Sequence, residues 1–88
     1  MNERMEKVLD EIRQERSRQE IKWGQQLHNP AIWLAILSEE VGEMASGVLC
    51  FEFGKEMHRE HNYRNELVQI AAVAVAAIES LDYNRSHY

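Results

Sequence analysis

Apolar and polar positions along the chain recur at helical spacing. From Glu3 to about Glu20, Met5, Val8, Leu9 and Ile12 lie three and four residues apart, which predicts a highly charged helix with one narrow apolar stripe. The second half of this segment, Arg13 to Lys22, is rich in Arg, Gln and Glu and does not continue the stripe, so it is expected to face water or a ligand. Trp23 and Gly24 then read as a helix stop.

Asn29 followed by Pro30 is a start signal, because Asn caps free N–H groups while Pro occupies the first helical position without losing a hydrogen bond. The helix it opens is expected to run to about Phe53 and stop at Gly54. A polar stretch, Lys55 to Asn62, leads into a third helix from roughly Arg59 to Leu81, whose centre from Leu67 to Ile78 is apolar except for Gln69. Such a helix must be covered on every side, and three helices of one short chain cannot do that. The pattern therefore predicts an all-α, three-helix protomer that completes a bundle core through homo-oligomerisation. Residues 1–88 form one domain, without internal repeats or low-complexity segments.

Size reinforces this expectation. A chain of 88 residues buries only about 60% of the surface its unfolded form exposes, so a shared core is favoured. One proline and four glycines supply too little turn chemistry for a many-stranded sheet. Fifteen Asp and Glu against ten Lys and Arg give a net charge of −5, the wrong sign for neutralising a nucleic-acid backbone. The lone Cys50 builds neither a disulfide framework nor a four-thiolate zinc site and suits a reducing cytoplasm. Met1 to Glu6 is too charged for a secretory leader, and no run of 18 apolar residues is present. A soluble, cytoplasmic protein without a membrane partner is expected.

The candidate chemistry is carboxylate chemistry. Glu39, Glu40 and Glu43 sit between the apolar runs Ile32 to Leu37 and Val48 to Phe51. At about 100° per residue, Glu40 lies about 100° and Glu43 about 40° from Glu39, so all three share one arc. Like charges one and four residues apart repel, and burying them uncompensated costs several kcal/mol each. Glu66 and Gln69 lie one turn apart at the edge of the third helix's apolar centre, with Arg59 and Asn62 upstream on the same stripe. Packed antiparallel, that helix could bring Glu66 opposite the cluster, and four carboxylates around one volume call for Mg²⁺ or Mn²⁺ rather than zinc or copper. The other reading is a solvated strip paired with Arg or Lys of the first helix.

Cations and aromatics complete the inventory. Lys55, Arg59 and Arg64, with Arg16, Arg18 and Lys22, are candidates to meet an anionic substrate, each weighed against an ordinary solvated charge. Trp23 is a candidate base-stacking platform, whereas Trp33 in the first turn of an apolar helix is expected in the core. His58 and His61 share a face, but Glu-x-x-His, the signature of a di-iron helical bundle, does not occur. His28 and His87 are expected to be solvent-exposed.

The run Leu37-Ser38-Glu39-Glu40-Val41-Gly42-Glu43, followed by Glu66-Leu67-Val68-Gln69, resembles the Glu-Glu-x-x-Glu and Glu-x-x-Asp signature of the MazG-like all-α nucleoside triphosphate pyrophosphatases. Glu15 to Gly24 and Ala71 to Glu79 resemble its short, single-domain branch, so the similarity covers most of the chain. The resemblance implies hydrolysis of a (deoxy)nucleoside triphosphate to monophosphate and pyrophosphate, with Mg²⁺, or Mn²⁺, held by Glu39, Glu40, Glu43 and Glu66 as catalytic carboxylates. It also implies a homodimer or homotetramer. Gln69 stands where the family usually has Asp; its amide oxygen can ligate but brings no charge, which bears on the number of metal ions. Lys22, Trp23, Lys55, Arg59 and Asn62 are the expected substrate-binding residues. The alternative is a catalytically inactive helical oligomerisation or regulatory module.

Overall fold

The structure, a computed structural model, describes residues 2–52 and 60–86, with side chains described over 2–49 and 63–85. Those residues form three helices and no strand: α1 (Glu3–Trp23), α2 (Pro30–Glu52) and α3 (Glu60–Ser86). Lys55, Arg59, the expected stop at Phe53 and Gly54, His58 and His87 lie outside the described residues, as do the side chains of Cys50, His61 and Asn62.

Local chemistry accounts for the helix ends. The Asn2 side chain caps α1 by accepting from the Met5 N–H at 2.7 Å. Gly24 ends it at φ 74°, a left-handed conformation that glycine adopts without strain, and donates its N–H to the Glu20 carbonyl at 2.7 Å. Asn29 Oδ1 accepts from the Ile32 N–H at 3.0 Å with Pro30 in the first helical position, so the Asn-Pro start signal operates as read. The third helix continues past Leu81 to Ser86, since nothing from Asp82 to Ser86 breaks it.

Both α1 and α2 pack on α3, and among the described residues neither packs on the other. The alanine-rich centre of α3 lets its neighbours approach closely, with Ala72 fully buried beside Val73 and Trp33. Trp33 thus occupies the core position expected of it. His28 departs from expectation: its ring meets Trp33 edge-on at 5.1 Å, and its backbone carbonyl accepts from the buried Ser80 hydroxyl at 3.0 Å. A ring with an apolar body gains more against an indole than in water, and Ser80 anchors the α1–α2 connection to α3.

One further expectation is corrected. The second half of α1 does not face water uniformly, because Gln19 is buried while Ile21 points outward, 87% exposed. As expected of three helices in one short chain, the centre of α3 is not covered all round within one protomer: Leu67, Val75 and Ile78 remain exposed, as do Leu34, Val41 and Leu49 of α2. Two flanking helices cover only two sides of a cylinder. The accessible surface is 6874 Å², whereas a monomeric protein of 10.3 kDa exposes about 5,400 Å². Likewise the radius of gyration, 15.0 Å, exceeds the roughly 12 Å of a compact chain of this length.

Candidate functional site

Because α1 and α2 each pack on α3 but not on one another, a groove opens between them with α3 as its floor. One hollow of about 350 Å³ is lined by Glu15, Arg18 and Lys22 of α1, Glu40 of α2 and Gln69 of α3. A second, of about 210 Å³, is lined by Arg16, Gln26, Trp33, Ile36 and Ala76. Gln19, Trp23, Glu40 and Val73 line both.

The carboxylates of α2 stand at the edge of this groove. Glu39 and Glu43 are exposed and Glu40 is half-buried, as is Glu66 on α3. Glu40 is held above the ordinary carboxylate range, first by burial and then by the negative charges of Glu43, Glu39 and Glu66. Glu66 of α3 is thus among the charges that act on Glu40. Among the described residues none of the four carboxylates makes an ion pair or a hydrogen bond. No three Asp, Glu, His or Cys side chains among the described residues converge closely enough to hold an ion. Among the described residues the cluster is thus a concentration of negative charge without a paired cation, with one member, Glu40, lining the groove.

Among the described residues, Arg16, Arg18 and Arg64 are engaged elsewhere. Arg64 is paired with Glu11 through two hydrogen bonds, at 2.7 and 2.8 Å. That pairing holds the Glu11 carboxyl below its usual range and pushes the Arg64 guanidinium further up. Arg16 bonds Glu79 at 2.7 Å and lies 3.8 Å from Glu20, and Arg18 reaches Glu15 at 2.7 Å. The pairing that the solvated-strip reading expects, cations of the first helix on Glu39, Glu40 and Glu43, is therefore not seen among the described residues, while Glu39 and Glu43 are exposed as that reading has them. Lys22 has no carboxylate partner among the described residues; its ammonium lies 5.0 Å from the centre of the Trp23 ring. That ring is 54% exposed beside the groove.

Gln69 lines the groove, and its backbone carbonyl accepts from the Gln19 side-chain amide at 3.3 Å. The same amide donates to Glu15 at 3.1 Å. Gln19 and Glu15 were not marked by sequence reasoning, because polar residues on a charged helix carry no signal until a neighbouring helix covers them. Trp33 Nε1 is buried and has no partner among the described residues.

The chain matches no protein-family model, no curated protein and no solved structure. Among the described residues, no helix is long and apolar enough to cross a membrane.

Proposed function

We propose that the protein hydrolyses (deoxy)nucleoside triphosphates to monophosphate and pyrophosphate at the groove between α1 and α2, with Mg²⁺ or Mn²⁺ as cofactor. The observation that carries this reading is the group Glu39, Glu40, Glu43 and Glu66, unpaired among the described residues while nearby arginines bind other carboxylates. Like charges gathered without a counterion cost stability, and hard oxygen donors without thiolate or imidazole fit a hard divalent cation. Gln69, on the groove wall beside Glu40, adds an uncharged oxygen donor.

Glu40, Glu43 and Glu66 are the residues that would hold the metal once their side chains closed on it, which among the described residues they do not do; a divalent ion bound there would supply charge neutralisation at the phosphates and a more acidic water. Glu39 orients the attacking water or holds a second ion. In the reaction, water oxygen bonds to the α-phosphorus, the bond to the β-phosphate bridging oxygen breaks, and pyrophosphate leaves with that electron pair. A carboxylate of the cluster receives the proton of the water. Lys22 and Trp23 line the groove; Lys22 would meet phosphate oxygens and Trp23 would stack on the base.

The same reading takes the active protein as a homodimer or homotetramer. The excess of about 1,500 Å² of accessible surface over a typical monomer is of the size a protomer buries in an obligate interface, and exposed Leu34, Leu49 and Ile78 supply its apolar character.

A screen of the eight common ribo- and deoxyribonucleoside triphosphates with Mg²⁺, scored for pyrophosphate against orthophosphate, tests the activity. Metal-dependent pyrophosphate release is expected from at least one of them. Silence with all eight refutes the reading and favours the inactive oligomerisation module.

A further inference from the structure

Gln19 is 8% exposed and lies one turn before Trp23 on the face of α1 that borders the groove. Its side-chain nitrogen donates twice, to the Glu15 carboxylate at 3.1 Å and to the Gln69 backbone carbonyl at 3.3 Å. Both amide hydrogens are thereby used. The opposite orientation would set the amide oxygen against a carboxylate and a carbonyl, three acceptors without a proton, so the orientation of the group is determined by its partners. Glu15 is itself held by Arg18, at 2.9 and 2.7 Å, which braces the arrangement from the solvent side.

The remaining polar atom, Oε1, has no partner among the described residues, yet it is not among the fully enclosed unpartnered atoms. It is a fixed acceptor, still reached by solvent, on a residue that lines the groove together with Trp23. An acceptor already held in place by its neighbours takes a ligand donor without further ordering of its own side chain. An aromatic plane beside a single immobilised acceptor is the chemistry that recognises a flat heterocycle bearing an N–H.

We infer that Gln19 is a specificity-determining residue: its Oε1 accepts a hydrogen bond from an amino or ring N–H of a nucleobase stacked on Trp23, while Glu15 acts as a positioning residue for the amide. This inference rests on the groove being a nucleotide site. It adds that the base is selected by a donated proton, which a site made only of carboxylates and cations could not do.

The test is a calorimetric binding cycle on the full chain with Mg²⁺, using α,β-methylene triphosphates that are not cleaved. Each of cytosine, adenine and uracil is paired with an analogue lacking the donor: 2-pyrimidinone, purine and 3-methyluracil. For the best-bound base, removal of the donor is expected to weaken binding about tenfold in the parent protein. In Gln19→Met the natural base should bind about tenfold more weakly, and removal of the donor should cost little further. Equal affinity of the natural and donor-less ligands in the parent overturns the inference without reference to any variant. So does an undiminished donor penalty in a folded Gln19→Met or Gln19→Leu protein. Pyrophosphate release with no dependence on the base N–H overturns this inference and leaves the proposed activity standing; absence of both binding and release overturns both.

Discussion

Arg64 of α3 closes on Glu11 of α1 through two hydrogen bonds of 2.7 and 2.8 Å, so an arginine that the sequence offers to a phosphate ties two helices together instead. The pair is solvent-exposed, which limits its worth through screening. Arg64→Ala should leave the KM for nucleotide nearly unchanged and lower the melting temperature by a few degrees at most, with the difference shrinking at 1 M salt. Because Glu11 titrates below its ordinary range when folded, its contribution is present above the unfolded value and is lost as pH falls through the folded one. A large rise in KM would return Arg64 to the site.

Glu40 has the opposite sign. Its folded-state value lies above 4.5, so between 4.5 and that raised value folding takes up a proton and stability falls as pH rises. Above that window Glu40 is ionised in both states and the full penalty persists. Glu40→Gln should therefore raise the melting temperature near neutral pH by about 1–4 °C, the size of a relieved like-charge contact in a domain of this length. The same substitution should abolish Mg²⁺-dependent turnover. A variant that is stabilised and fully active would show the cluster to be a plain surface.

Gln69→Asp tests whether that position belongs to the metal site. A carboxylate one turn from Glu66 should lower metal-free stability by a few tenths of a kcal/mol. It should also tighten Mg²⁺ binding, and an ion at 100 times its Kd stabilises the folded state by about 2.7 kcal/mol. Melting temperatures of both proteins across a Mg²⁺ titration provide the readout. Identical metal responses would place Gln69 outside the site.

The exposed apolar residues make a prediction about mass. Light scattering of the parent chain should give a dimer or tetramer, and Ile78→Asp, on the exposed side of α3, should shift the population toward the 10.3 kDa protomer with a loss of stability. A folded 10.3 kDa parent at micromolar concentration would contradict the assembly.

Asn29 offers a purely local test. Its Oδ1 accepts from the Ile32 N–H at 3.0 Å, so Asn29→Ala should cost about 1 kcal/mol and lower the melting temperature by about 4–8 °C. A change of less than a degree by calorimetry would mean that the cap is already satisfied by water.

The three helices, the cap at Asn29, the stop at Gly24 and the core position of Trp33 were all legible in the sequence, because each follows from spacing or local hydrogen bonding within a few residues. The common arc of Glu39, Glu40 and Glu43 was legible for the same reason: helical geometry alone places them. That the Glu66 charge acts on Glu40 depends on how α3 packs against α2, which helical geometry within one element does not give. Pairing partners were beyond the sequence altogether. Whether Arg64 meets a phosphate or Glu11, whether Gln19 faces water or the Gln69 carbonyl, and whether His28 is free or set against Trp33 depend on contacts between residues about 50 positions apart, or across a helix boundary. A polar side chain reads the same in a sequence whether solvated or buried, and only the packing of α1 and α2 on α3 determines which of these groups water can still reach.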